Sequence, residues 1–300
     1  MSPVSHGRFF CGWKFKRNLI FLNTRQKIAI AGLISGIVRT TRTLIGKADV
    51  GVFRRGDIVW ELDLSEGIDF AIYLRGGFEP ETLREYRRIV RAGFVALDIG
   101  ANIGSHTLPL AQLVGPSGRV YSFEPTDYAF AKQRRNLSLN PELSKRVCAI
   151  QAMLVGRMAQ KPKTIPSSWP LDRREKIDLH PTHFGRFNTL EGAELLRLDD
   201  WTAQEQPQSI DFVKMDVDGY EIDVVEGAGQ TLSRYKPVMM MEFAPYIFSE
   251  RGRSFLELLE ALSALGYRAR TVSGKGLALE PALEAAIPRE GSMNVILEAL

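Results

Sequence analysis

The chain has 300 residues, 45% of them hydrophobic and 25% charged, with a net charge of +4. That is the make-up of an ordinary soluble globular protein, with room for one large core or for one domain and an extension. Its two cysteines, Cys11 and Cys148, are too few and too far apart for a disulfide framework or a zinc site, so a reducing, cytoplasmic setting is expected.

The charge is unevenly spread. Residues 1–55 carry eleven Lys/Arg and one acid, Asp49, while the remainder carries 28 basic and 34 acidic side chains. The balance is therefore +10 in the first part and −6 in the rest. Residues 1–56 read as a basic helical extension. Within it, the apolar stretch Ile28 to Val38 is bracketed by Arg25, Lys27, Arg39, Arg42 and Lys47. It is too short to span a bilayer, which takes about 20 residues, and it lacks the cleavage signal of a secretory leader. Two placements stand open. One is an amphipathic helix on an anionic membrane face, with contact through residues 14–47. The other is a helix packed on the main domain with its charges in water.

Residues 57–300 read as the globular domain. Alternation over 57–64 and 68–74, joined by Ser65-Glu66-Gly67, predicts a β-hairpin. Pro80 to Arg91 predicts a helix, which completes the segment 57–92. From residue 93 the pattern is βα alternation. Strands are expected at 94–99, 119–124, 147–153, 210–216 and 237–243, and helices near 105–114, 126–139, 220–233 and 253–265. This predicts a doubly wound parallel sheet. Tyr267 to Val272 and Asn294 to Glu298 are expected to close it as an antiparallel pair with no good helix between them. The stretch 156–192 is irregular and too long for an idle connection, so it is a candidate substrate loop.

Four predicted strands end on acids: Asp98, Glu124, Asp216 and Glu242. The first runs into Asp98-x-Gly100-x-x-x-Gly104, which is not the Gly-x-Gly-x-x-Gly of dinucleotide sites. Asn102 stands where that pattern has the glycine that touches pyrophosphate, and a carboxylate beside the turn repels phosphate but welcomes an ammonium group. A nucleoside with a cationic, amino-acid-like tail is implied, and S-adenosyl-L-methionine fits. Glu124 can accept both hydroxyls of a ribose. Four carboxylates on one rim can also raise one another's pKa for base work. Asp218 and Glu221 open the next helix, where the dipole alone favours acids. His106 reads as a packing or capping residue. His180 and His183, as His-Pro-Thr-His, are minor candidates for a base. A hard cation could use Asp216 and Glu242, yet nothing in the spacing demands one, and no metal is assigned.

The chain resembles the FkbM family of S-adenosylmethionine-dependent methyltransferases. The resemblance rests on residues 97–104, on Ser122-Phe123-Glu124-Pro125, on Ile210 to Glu221 with Gly227-Ala228, on Pro237 to Glu242 and on Trp60 to Leu64. It covers roughly residues 57–300. Asp218 departs from the glutamate more often found there and keeps the charge. The resemblance implies a class I methyltransferase fold, a Rossmann-like seven-stranded sheet with its last strand antiparallel. It also implies O-methylation of a hydroxyl on a sugar, glycolipid or polyketide-like metabolite.

Roles follow on that footing. Gly100 and Gly104 let the backbone approach the cofactor, Asp98 holds the methionine end directly or through water, and Glu124 takes the ribose. Ala152 and Met153 line the adenine, and Asn102 and Asp216 complete the cofactor site. Asp216 and Glu242 are the candidate bases, with Glu221 behind them. Two alternatives compete: a nicotinamide-dependent oxidoreductase on a related sheet, and a non-catalytic adapter. The expected partner is a small-molecule or glycan acceptor. Nucleic acid is not expected, because the core is net acidic and lacks a basic, aromatic-laced groove.

Overall fold

The computed structural model describes residues 24–156, 161–171, 179–180 and 184–300. Expectations that fall on residues 1–23 and on His183 lie outside the described residues. The strands, in chain order, are β1 (Val50–Arg55), β2 (Ile58–Asp63), β3 (Val95–Ile99), β4 (Arg119–Phe123), β5 (Val147–Ile150), β6 (Ala152–Leu154) and β7 (Thr164–Ser168). There follow β8 (Arg186–Thr189), β9 (Glu194–Leu196), β10 (Phe212–Met215), β11 (Val238–Phe243), β12 (Tyr267–Thr271), β13 (Gly276–Leu277) and β14 (Met293–Ala299).

One eight-stranded sheet has the order β13-β12-β14-β11-β10-β3-β4-β5. β5, β4, β3, β10 and β11 run parallel, and β14 is antiparallel to both β11 and β12. Without the two-residue edge strand β13, this is the seven-stranded class I methyltransferase arrangement, with the last strand inserted antiparallel. Burial on both faces explains why the parallel strands read as continuous apolar runs. Leu97, Ile99, Val213, Met215, Met239 and Met241 enter one apolar layer, and Ala96, Val120, Phe212, Met240 and Ile296 enter the other.

Several expectations need correction. The hairpin is β1 with β2, turning at Gly56 (φ +58°), and the segment 67–75 is a helix. Strand 147–153 breaks at Gln151, and its second half, β6, leaves the main sheet to pair with β9. Helix 220–233 is two helices, Glu221–Glu226 and Gly229–Tyr235. Gly227 between them sits against the Val155 carbonyl, which a Cβ would approach to 2.1 Å. A short helix, Ala282–Ala286, lies between the closing strands, where none was expected. The irregular stretch contains the antiparallel pair β7–β8.

The hairpin and the helix that follows it share a third apolar cluster with the domain: Trp60, Leu62, Leu64, Phe70 and Ile72 pack with Ile103, Leu108 and Leu137. Asn136 and Asn140 complete the edge of β2. They accept from Glu61 N and Val59 N at 2.8 and 2.9 Å, and Asn140 donates to Val59 O at 2.6 Å. These side chains occupy backbone groups that would otherwise offer an open edge.

Candidate active site

At the carboxyl ends of β3, β4 and β10 lies a cavity open to solvent, with about 520 Å³ of empty space in and before it. Gly100, Asn102, Phe123, Glu124, Ala152 and Met153 line one side, and Asp216, Val217, Asp218 and Tyr220 another. Ile165, Pro166 and Ser167 of β7 close it, so part of the candidate substrate loop walls the site. This is the sheet edge at which open α/β folds bind ligands.

The turn after β3 is built by backbone geometry. Gly100 (φ +78°) packs so tightly on β10 that a Cβ would lie 1.8 Å from the Asp216 carbonyl oxygen. No other residue fits there. Gly100 N and Ala101 N both donate to Phe123 O at 3.0 Å. Asn102 is left-handed (φ 49°). Its Nδ2 donates to Ser167 O at 2.8 Å, and its backbone N–H donates to Glu124 Oε2 at 2.9 Å. Glu124 Oε1 accepts from Thr126 N and Thr126 Oγ1 at 2.9 and 2.5 Å. Burial pushes the Glu124 carboxyl up, against the pull of these donors.

Two expected cofactor residues lie behind the cavity wall. Asp98 is 0% exposed and accepts from Thr107 Oγ1 at 2.6 Å. It braces the helix that follows the loop and is not part of the cavity lining. Gly104 (φ +86°) faces the Gln133 side chain of the helix Asp127–Ser138, 3.3 Å from where a Cβ would stand. It packs against that helix and is not part of the cavity lining.

Sequence reasoning left Lys214 without a role. It is paired in register with Asp98, buried within the sheet, and its Nζ donates to Gly100 O at 3.0 Å. Asp216 Oδ2 and Asp98 Oδ1 lie 3.5 and 3.8 Å from that nitrogen. Burial pulls the ammonium down, but Asp216, Asp98, Glu79 and Glu242 outweigh it and hold its pKa above the ordinary value. A lysine inside an apolar run was the available signal. Glu79 was also missed. It is left-handed (φ 47°), just before the helix Pro80–Ile89, and accepts from Asn294 and Thr82 at 2.9 and 3.1 Å.

Oxygens of Asp216, Asp218 and Glu242 lie within 4.8 Å of one another. That spacing can hold one cation between them, and Lys214 already places an ammonium beside Asp216. Burial, with Asp216 and Glu79 close by, holds the Glu242 carboxyl well above the usual range. Burial, with Asp216 and Glu221 close by, does the same for Asp218. Glu221 does not join this group. Its Oε1 accepts from Val217 N and Gly219 N at 3.2 and 3.4 Å, so it staples the loop, and burial pushes it up to about 7. His180 lies 3.4 Å from Glu250 and is not among the residues that line the cavity. His106 is a packing residue, with Nδ1 at 3.1 Å from the Tyr86 hydroxyl and its ring against Phe78.

The family model for the methyltransferase FkbM domain matches residues 98–269. The chain belongs to the FkbM methyltransferase family. A curated relative, the 2-O-methyltransferase NoeI of Sinorhizobium fredii, is 30% identical over 206 residues, covering 64% of this chain and 84% of that protein. The methyltransferase sdnD of Sordaria araneosa is 29% identical over 158 residues, covering 45% of this chain and 60% of that protein. A solved FkbM methyltransferase from Methylobacillus flagellatus is 16% identical with a TM-score of 0.41, covering 72% of this chain and 50% of that one. Family membership decides against the nicotinamide alternative. This FkbM protein uses S-adenosylmethionine, and the cavity fits it. Its lining carries the carboxyl groups of Asp216, Asp218 and Glu124 and the apolar side chains of Phe123, Ala152 and Met153.

Buried acids also set the pH response of the fold. Burial raises the carboxyls of Glu66 and Glu221 from 4.5 to about 7. Their folded pKa values exceed the unfolded ones, so their contribution is fully present below the unfolded value and is lost as pH rises through the folded one. His106 opposes this only below its ordinary 6.5, since burial lowers its pKa. The protein is expected to be more stable at about pH 6.5 than at about pH 8, by roughly 1–2 kcal/mol from these two carboxyls. Urea titrations at the two pH values measure it, and an equal or lower midpoint at the acid end contradicts it.

Proposed function

We propose that this FkbM protein is an O-methyltransferase that acts on a hydroxyl of a sugar, glycolipid or polyketide-like metabolite. The observation that carries the reading is the group Asp216, Asp218 and Glu242, of which Asp216 and Asp218 line the cavity and Glu242 lies within reach of both. A hydroxyl acceptor must lose its proton as its oxygen attacks, and a carboxylate within hydrogen-bond reach can take it. Neighbouring carboxylates can also accept hydrogen bonds from adjacent hydroxyls of a polyol. The name of the relative NoeI, a 2-O-methyltransferase, supports an oxygen acceptor.

S-adenosylmethionine supplies a methyl carbon already activated by its sulfonium. The chain's part is to hold that donor through Glu124, Asn102 and Asp216, to align the acceptor, and to take one proton at Glu242 or Asp216. Alignment of this kind can lower a barrier by about 7–11 kcal/mol. β7 helps to exclude water at the cavity mouth. The experiment is transfer of labelled methyl from S-adenosylmethionine over a panel of sugars and glycolipids, with the product position found by NMR. An O-methyl ether is the expected product. Transfer only to amines, with every hydroxylated acceptor inert, would overturn the reading.

A further inference from the structure

The helix Thr24–Leu44 turns its apolar side chains the wrong way for a packed helix. The face toward the domain is small or polar. Ser35 Oγ donates to Leu64 O at 2.6 Å, Arg39 reaches Asp49 at 2.7 Å, and Arg42 donates to Ala48 O at 2.7 Å. Among the described side chains of the helix, only Val38 joins an apolar cluster. Ile30, Leu33, Ile34, Ile37 and Leu44 point to solvent, with Leu33 at 70%, Ile37 at 61% and Leu44 at 82% exposure. Their spacing puts them on one stripe. Ile45, Val50 and Val52, just beyond the helix, are exposed as well. A single exposed leucine is ordinary, but a continuous stripe marks a contact surface.

Charge selects the partner. The segment 1–55 is +10, in a chain whose remainder is −6. Lys47 and Arg54, in the segment after the helix and in β1, are exposed. No helix among the described residues is long and apolar enough to cross a membrane. A negatively charged, apolar-cored, planar surface complements all of this. We propose that the helix lies in the plane of an anionic bilayer, with its Ile30-to-Leu44 stripe among the acyl chains and the basic side chains of this segment at the headgroups. From sequence alone the packed helix with solvated charges is the favoured reading, and the outward stripe is what argues for the membrane instead. The helix also adjoins the segment that follows β7. Gly32 lies so near the Leu171 carbonyl that a Cβ would stand 3.1 Å from it, and Ser167 of β7 lines the cavity. Docking sets that wall of the site beside the bilayer.

Sedimentation of the full chain with lipid vesicles tests the proposal. One set of vesicles is phosphatidylcholine alone, and the other holds about a third phosphatidylglycerol. The chain is expected to pellet with the anionic vesicles and to be released by salt. The double variant L33E/I37E is expected to bind them at least about tenfold more weakly, with unchanged urea midpoint and S-adenosylmethionine titration. Equal pelleting with both vesicle types, or a double variant that pellets like the parent, overturns the proposal. So does a parent dimer that the variant converts to a monomer, since the stripe then belongs to a second copy. Each readout is independent of methyl transfer, so the proposed reaction stands or falls separately.

Discussion

Lys214→Met is expected to cost the protein about 3–5 kcal/mol of stability, the range for removing one member of a buried ion pair. The cause is what the change leaves behind. Asp98 is buried in the same sheet layer as Phe212 and Met240, and after the substitution only Thr107 is left to donate to its carboxylate. Gly100 O loses its donor too, in the turn that shapes the cofactor cavity. Burial already holds the Asp98 pKa above its ordinary value, with Lys214 the main force pulling it down. Without Lys214 the pKa climbs further. A folded pKa above the unfolded one gives stability present at low pH and lost as pH rises. The deficit should therefore shrink on acidification and widen above neutrality. Adding Asp98→Asn to the variant should recover much of the loss, because no charge is then left unpaired. Urea titrations of the single and double variants measure this. A single variant within about 1 kcal/mol of the parent at every pH would remove Lys214 from the account of the fold.

Of the seven non-glycine residues with positive φ among the described residues, three bear on the site: Glu79, Asn102 and Asp218, with φ between 47° and 49°. Such conformations cost energy and cluster where a site over-determines them. Asn102 is held by Ser167, and Glu79 by Thr82 and Asn294. Asp218 is brought toward Asp216 and Glu242 by its turn. Asn102 and Asp218 thus put two such kinks in the cavity wall.

What was legible in the sequence follows from burial. A parallel strand covered on both faces needs an unbroken apolar run, so 94–99 and 237–243 stood out, and the acids at their ends were conspicuous. The hairpin was misplaced because Ile68, Phe70 and Ile72 alternate as a strand would, while the same segment buries Asp69, Phe70 and Ile72 as a helix. Pro166 hid β7, since proline argues against a strand. It is tolerated there beside an irregularity in the pairing with β8. The break at Gln151 carries no local signal, because both halves are apolar and only their partners differ. Lys214 was visible as a charge in an apolar run, but its meaning needs the register that sets it beside Asp98. Asp98 reads from sequence as a holder of the methionine end, directly or through water, because its position on the chain cannot reveal its contacts with Thr107 and Lys214.

Glu242→Gln should lower the methyl-transfer rate by about 10²–10⁴-fold, the usual worth of a positioned general base, while leaving the fold and cofactor binding intact. Glutamine keeps the shape and the hydrogen bonding but cannot take a proton. Glu242 is favoured over Asp216 for this step on two grounds. Lys214 stands 3.5 Å from Asp216, so that carboxylate is engaged in an ion pair. The Glu242 carboxyl is instead held well above its ordinary range, chiefly by burial and then by Asp216 and Glu79, which makes its ionised form the stronger base. A base must be ionised to work, so a raised pKa moves the rising limb of the rate to higher pH. The parent rate should climb with pH across that limb, and the glutamine variant should lose the climb along with the rate. Asp216→Asn should instead weaken cofactor binding, since Asp216 lines the cavity. A titration with S-adenosylmethionine separates the two effects. If Glu242→Gln kept both the rate and the pH limb, the proton would have to leave by another group.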